Sequence, residues 1–379
     1  MNTFKFVGQI KKIEEKNDRK FIETKVLPSG WTLERVKFRM VCGDTSEFVE
    51  TTGGKWPSDD KNLIYTYFVK KGNENEKGGE KAQVKWSDRF NPDIVDQVPS
   101  YKKYVVDLAS DKVRRQLVKE GKQEEADALA AQKHVYISNY DFTLKVAELL
   151  NAKAFGDKTY VVTGDIEYNY AINKKGEGVY YRSFVPNNIY LATENDVPGT
   201  MGMLDFYYNK EEYLGDALEN GDIPVEGYVR YYDSMAKGNY FAPTTIFLKN
   251  GHEKTRGLKR VLDMETDENI ATLGAAVEFY SGSPKTDIKY EDLTKVEQDL
   301  IDWGVKTLEE TISEKGGAVY EDRITRVYLV GTGKGDKAVP KGTDFTVEQL
   351  EEKPDKDKGK TSEKKTKKTI DLFDDDDEI

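Results

Sequence analysis

Twelve consecutive residues, Trp31-Thr32-Leu33-Glu34-Arg35-Val36-Lys37-Phe38-Arg39-Met40-Val41-Cys42, sort into two kinds when taken alternately. In an extended strand successive side chains point to opposite faces. One face then carries Val36, Phe38, Met40 and Cys42, an apolar set fit for a core. The other carries Trp31, Leu33, Arg35, Lys37 and Arg39. A ring followed by three cations suits an unpaired nucleic-acid strand, because cations track phosphates and rings stack on bases without reading them. Lys5, Gln9 and Lys11 share one face of an earlier strand and extend the stripe. Trp56, Tyr65 and Tyr67 are further stacking candidates, with Lys12, Lys85 and Trp86 beside them. The plain alternative is a solvated basic face with Trp31 covering the edge of a core.

Other chemistries have little to work with. A single cysteine, Cys42, excludes an internal disulfide framework and a Cys-based zinc site. The two histidines, His134 and His252, are far apart and have no evident catalytic partners. Gly331-Thr332-Gly333-Lys334-Gly335-Asp336 lacks the spacing of a phosphate-binding loop, and no nucleophile motif occurs. The sequence therefore predicts no catalytic residue, metal site or cofactor, and no enzyme. No apolar run of about 18 residues and no leader peptide is present, so a soluble, cytosolic protein is expected.

The elements that must hold the stripe are strands. Residues 4–13, 19–27, 31–41, 46–51, 63–69 and 83–86 read as extended, separated by Gly- and Asx-rich turns including Gly53-Gly54. Gly8 fits a bulge or bend in the first strand. Helical periodicity follows over residues 110–152, with Asn139 or Asp141 as a cap for the last helix. Strands resume over 159–248, where Tyr168, Tyr170, Tyr180, Tyr181, Tyr231 and Tyr232 are expected mostly in a core or an interdomain surface. Helices are expected around 267–280 and 290–313, and a strand over 323–330. The motif Val162-Thr163-Gly164-Asp165-Ile166 echoes Phe6-Val7-Gly8-Gln9-Ile10 and suggests two barrels of one type. The predicted fold is mainly β with helical insertions: tandem OB-like five-stranded barrels, C-terminal helices and a disordered tail. The expected units are a basic N-terminal barrel over 1–108, a helical connector over 109–155 and a second barrel over 156–258. A helical segment with a closing strand over 259–340 and a tether with an acidic tip over 341–379 complete the chain.

Charge is distributed unevenly. The net charge is −11, yet residues 1–110 hold 20 basic and 17 acidic side chains, and the first forty hold ten and five. Six of the last nine residues, Asp371-Leu372-Phe373-Asp374-Asp375-Asp376-Asp377-Glu378-Ile379, are acidic, with Leu372, Phe373 and Ile379 among them. An acidic tip with apolar anchors on a polar tether reads as a docking peptide that can also compete with phosphate for a basic groove.

The opening Phe4-Lys5-Phe6-Val7-Gly8-Gln9-Ile10, the Ser29-Gly30-Trp31 turn and Val162 to Tyr168 resemble a family of single-stranded DNA-binding proteins of tailed phages of Gram-positive hosts. Val225-Glu226-Gly227-Tyr228-Val229 and Tyr240-Phe241-Ala242-Pro243-Thr244-Thr245-Ile246 extend the resemblance over roughly residues 1–250. It implies OB-type barrels, a replication or recombination role and a host-cytoplasmic location. The tip is similar to the tails of bacterial and phage proteins of this kind, which recruit replication partners. The bacterial tip ends in Pro-Phe, whereas here Phe373 precedes the acids, so the resemblance implies a phage-encoded partner. The expectation is a sequence-independent coat for single-stranded DNA, and a homo-oligomer is an open possibility. The competing expectation is a phage scaffold that grips a protein through its barrels and tail.

Overall fold

The structure is a computed structural model that describes residues 2–15, 20–43, 45–69, 79–173, 175–218, 221–248, 250–251, 255–280, 290, 293–303, 305–306, 311, 323–329 and 340–355. The first half contributes β1 (Thr3–Lys12), β2 (Ile22–Val26), β3 (Thr32–Cys42) and β4 (Thr45–Lys55). A hairpin of β5 (Leu63–Phe68) and β6 (Glu80–Lys85) follows, then α1 (Pro92–Gln97) and β7 (Tyr104–Asp107). Next come α2 (Asp111–Lys119), α3 (Gln123–Ala130), β8 (Lys133–Tyr136), α4 (Asn139–Asn151), β9 (Thr159–Ile172) and β10 (Gly178–Leu191). The second half contributes β11 (Gly199–Asn209), β12 (Ile223–Asp233), β13 (Gly238–Leu248), α5 (Thr255–Leu262) and β14 (Ile270–Tyr280). It ends with α6 (Lys295–Asp302), β15 (Arg323–Leu329), β16 (Lys341–Gly342) and a short α7 (Val347–Leu350).

Two five-stranded rings emerge from the pairing. β1 pairs with β3, β3 with β4, β9 with β10 and β9 with β1. β4 lies against β10 and closes the ring. Taken in chain order the five strands run 1-2-3-5-4-1, with α4 between the third and the fourth, the arrangement of an OB-type barrel. The second half repeats it: β11 pairs with β12 and β14, β12 with β13, β14 with β15, and β13 lies against β15. Here α5 occupies the place between third and fourth strands.

The tandem barrels are as expected, but their boundaries are not. The barrel expected within 1–108 takes its last two strands from residues 159–191, because β1 pairs with β9 from Thr3↔Asp165 to Gln9↔Thr159. The expected connector over 109–155 is therefore an insertion inside the first barrel. Its last helix, α4, buries Phe142, Val146, Leu149 and Leu150 in the core. Ser138 caps it by accepting from the Asp141 N–H. The echo between Phe6-Val7-Gly8 and Val162-Thr163-Gly164 marks neighbours within one barrel, since Phe6 faces Val162 across the ladder. The helix expected at 267–280 is strand β14. Its small residues suggested helix, yet Ala271, Leu273, Ala275, Val277 and Phe279 all enter the core, a period of two. Of the helix expected at 290–313, residues 295–302 form α6.

β1 also joins the barrels. Its first half pairs with β11, Thr3↔Met203 to Val7↔Gly199, and its second half pairs with β3. Gly8 is the crossing point: a Cβ there would lie 2.2 Å from the Val41 carbonyl oxygen and 2.7 Å from Cys42 Sγ. Phe279 of the second barrel packs edge to face against Phe6 and Phe184 of the first, at 6.2 and 4.9 Å between centroids. Tyr231 of the second barrel lies 6.4 Å from Tyr168 and 6.3 Å from Tyr180 of the first. Tyr168, Tyr170, Tyr180 and Tyr231 are at the core or seam as expected, whereas Tyr181 is only half-buried and Tyr232 is exposed. Burial pushes the Cys42 thiol up to about 12, which leaves it inert.

Gly8→Ala is expected to cost about 1–3 kcal/mol, because the backbone of β3 cannot yield without loosening the ladder. A fall in the urea unfolding midpoint at unchanged slope checks this.

Candidate nucleic-acid interface

The outer face of β3 is the one that alternation predicted. Glu34, Val36, Phe38, Met40 and Cys42 are buried, and Leu33, Arg35, Lys37, Arg39 and Val41 are half-buried on the other side. On β4, Thr45, Glu47, Val49, Thr51 and Gly53 point inward, and Ser46, Phe48, Glu50, Thr52 and Gly54 point outward. The registers place Lys11, Arg39 and Phe48 in one row across three strands. Lys37 and Arg39 both rest on the Phe48 ring, at 5.1 and 5.0 Å from its centroid. The ring holds two like charges side by side on the sheet, and the face of its π system favours both. Phe48 was not among the residues that the sequence nominated. Its signal was its position, two residues from Glu50 and Ser46 on an alternating strand.

The upper end of this face is built by two glycines. Gly53 and Gly54 are not a turn, as expected, but the end of β4. A Cβ on Gly53 would meet the Tyr140 backbone at 2.4 Å, so its absence lets the first turn of α4 close the barrel. A Cβ on Gly54 would meet the Trp31 ring at 2.4 Å, so the indole lies flat over the strand. Trp56 packs edge-on against it, with centroids 5.1 Å apart and planes at 73°. Gly30, at φ +85°, makes the turn that delivers Trp31 there, a conformation that glycine adopts without strain.

Not every nominated cation is equally available. Lys5 pairs with Asp196 at 2.9 Å and Lys11 with Asp157 at 2.8 Å. The Thr193 N–H and Lys5 hold the Asp196 carboxyl below the usual carboxylate range, and Lys11 does the same to Asp157. Arg35 pairs with Glu50 at 3.5 Å. Lys37 and Arg39 form no ion pair among the described residues. Tyr65 and Tyr67 are not on the barrel at all. They sit on β5, where Tyr65 is 72% exposed and Lys102 lies 5.9 Å from the Tyr67 ring. The structure thus splits the nominated set: Lys5, Lys11, Trp31, Arg35, Lys37, Arg39 and Trp56 on one barrel face, Tyr65 and Tyr67 on a hairpin. The tail residues 371–379 lie outside the described residues, as does His252. Among the described residues no cluster of His, Cys, Asp and Glu forms a metal site, and no helix is long and apolar enough to cross a membrane.

The matching face of the second barrel is covered by the chain itself. Tyr207, Tyr228, Arg230 and Phe241 occupy the outer sides of its first three strands. β16 pairs with β14 at Ala271↔Gly342 and Thr272↔Lys341. Phe345 then lies 5.8 Å from Tyr207 and 5.1 Å from Phe241, edge to face. Arg230 lies 5.6 Å from the Phe345 ring, and Leu350 is buried beside Phe241 and Ile270. Thr346 and Gln349 cap α7 reciprocally. The disordered tether expected from residue 341 therefore begins with a packed strap, residues 341–351. Its sequence signal was Thr346-x-x-Gln349 between two large apolar residues, the mark of a helix start.

No family model matches the chain, and no curated protein matches it. Among solved structures, a deletion mutant of the single-stranded DNA binding protein from Thermus aquaticus aligns with 74% of this chain and 86% of its own. The two are 9% identical, and the TM-score is 0.27.

Leu350→Ala is expected to release the strap at a cost of about 2–5 kcal/mol. Limited proteolysis then cuts near residue 345 while the β-sheet circular dichroism of both barrels stays unchanged.

Proposed function

We propose that this chain coats single-stranded DNA with little sequence preference, acting by binding and not by catalysis. The observation that carries the reading is the outer face of β3 and β4. Lys37 and Arg39 stand on the Phe48 ring and form no ion pair among the described residues, although Glu50 faces Lys37 across the ladder; the paired indoles of Trp31 and Trp56 lie above them. The outer face of the second and third strands is where OB-type barrels take up oligonucleotides. Cations there neutralise phosphates, and rings accept any base. The second barrel, with its equivalent face under the strap, serves as a scaffold in this reading.

The finer parts of the proposal rest on the sequence. The role is phage DNA replication or recombination in the host cytoplasm. The acidic tip at 371–379 competes with DNA for the basic face and recruits a phage replication partner. A second reading, a protein-binding scaffold, is favoured by the net charge of −11 and by the pairing of Lys5, Lys11 and Arg35 with the chain's own carboxylates.

Salt separates the two. Fluorescence anisotropy of a labelled oligo-dT across a salt series is expected to show binding that weakens linearly on a log–log plot, with duplex bound far more weakly. The double substitution Lys37→Ala/Arg39→Ala should lower the slope by about 1.4, at roughly 0.7 per single-strand phosphate contact. Trp31→Ala should cost about 1–3 kcal/mol. Absence of oligo-dT binding at low salt, with the tip also removed, overturns the proposal in favour of the scaffold. Deleting residues 371–379 should tighten binding and abolish partner capture; equal affinity with and without them removes the competition claim.

A further inference from the structure

The hairpin β5–β6 stands outside the barrel and carries an exposed aromatic side chain, Tyr65. Its two faces differ sharply. Ile64, Phe68 and Val84 point inward and pack with Val98, Ile137, Ile94 and Val95. The other face is built from cross-strand pairs in register: Leu63↔Lys85, Tyr65↔Gln83 and Tyr67↔Lys81. Leu63 is 41% and Tyr65 72% exposed, and Lys81, Gln83 and Lys85 are exposed. One strand therefore presents apolar and aromatic groups, and its partner presents two cations and an amide. No carboxylate stands in these three pairs. Lys102 adds a third cation over the Tyr67 ring at 5.9 Å. Unlike Lys5, Lys11 and Arg35, Lys81 and Lys85 form no ion pair among the described residues.

The hairpin is also joined to the barrel face at one point. The Trp56 N–H donates to Asn62 Oδ1 at 2.7 Å, and Asn62 Nδ2 donates to the carbonyls of Trp56 and Ser58, each at 2.9 Å. Asn62 is buried and immediately precedes β5. This staple fixes the start of the hairpin beside Trp56, where the barrel's stacking end stops.

We propose that the outer face of β5–β6 is a second segment of the single-strand path, in which Tyr65 and Tyr67 stack on bases and Lys81, Lys85 and Lys102 contact the phosphates that follow those held by the barrel. The ligand class is unpaired nucleic acid, because stacking on Tyr65 and Tyr67 needs bases whose faces are free. The charge pattern of the three pairs fits: cations and rings with no acid among them attract a polyanion. The inference rests on the strand-coating reading and adds to it a longer footprint.

The test uses the full chain and oligo-dT of increasing length, with two variants that leave Ile64, Phe68 and Val84 untouched: Tyr65→Ala/Tyr67→Ala and Lys81→Gln/Lys85→Gln. The hairpin segment is supported if affinity for short oligomers is unchanged but the gain with length stops earlier. Long oligomers should then bind about tenfold more weakly to the tyrosine variant, and the salt slope should drop by about 1.4 in the lysine variant. Wild-type binding with both variants identical to it in length dependence and slope overturns the inference and leaves the barrel reading intact. Equal loss at every length also overturns it, since that result marks a hairpin that merely supports the barrel. No binding by the wild type at any length removes the parent reading instead.

Discussion

One strand serving two barrels is the constraint on which this molecule depends. β1 donates its first half to β11 and its second half to β3, while β9 lies along its other edge for most of its length. The change of neighbour falls at Gly8, where a side chain would run into the Val41 carbonyl. The consequence is rigidity. The seam contains Phe6, Phe184 and Phe279 in mutual contact, with Arg182 lying on Phe184 and Phe279. Aromatic pairs of this kind add to the area that they bury. The two barrels therefore act as one body with two differently finished faces.

The difference between those faces is the main asymmetry between the two barrels. Both barrels carry aromatic and cationic groups on the outer sides of equivalent strands. In the first, Arg39 and Lys37 rest on Phe48, which stays within reach of solvent. In the second, Arg230 rests on Phe345, and Phe345 belongs to the strap. The same physical motif, a guanidinium over a ring, is open in one barrel and internally satisfied in the other. This is also why the overall negative charge is a poor guide to the site: the basic row is local, and a screening length of about 8 Å at physiological salt confines the reach of distant acids.

The sequence made the local part of this legible. Alternation along residues 31–42 gave the two faces of β3 correctly, since burial with a period of two leaves a direct trace in residue type. The helix at α4 and the closing strand β15 were readable for similar reasons. The barrel boundaries were not, because β1 closes against strands more than a hundred residues away and no short-range signal encodes that pairing. β14 was not legible as a strand: Ala271, Ala275 and Ala276 have helical propensity, yet pairing with β11 and β15 and the burial of alternate residues from Ala271 to Phe279 select a strand. Phe48 was overlooked because its role depends on the register with Arg39, and Phe345 because it sits in a segment whose composition otherwise resembles a tether.

The divided pairing of β1 has a consequence for how the chain comes off the ribosome. The half beyond Gly8 meets β3 early in synthesis. The half before it, Thr3–Val7, has no neighbour until residues near Val161 and then Gly199 have been made. At roughly 5–20 residues per second, that interval is on the order of ten to forty seconds. During it Phe4 and Phe6 belong to a strand with unfilled edges, the kind of surface on which nascent chains mispair. The feature that joins the two barrels thus leaves Phe4 and Phe6 waiting for partners made more than a hundred residues later.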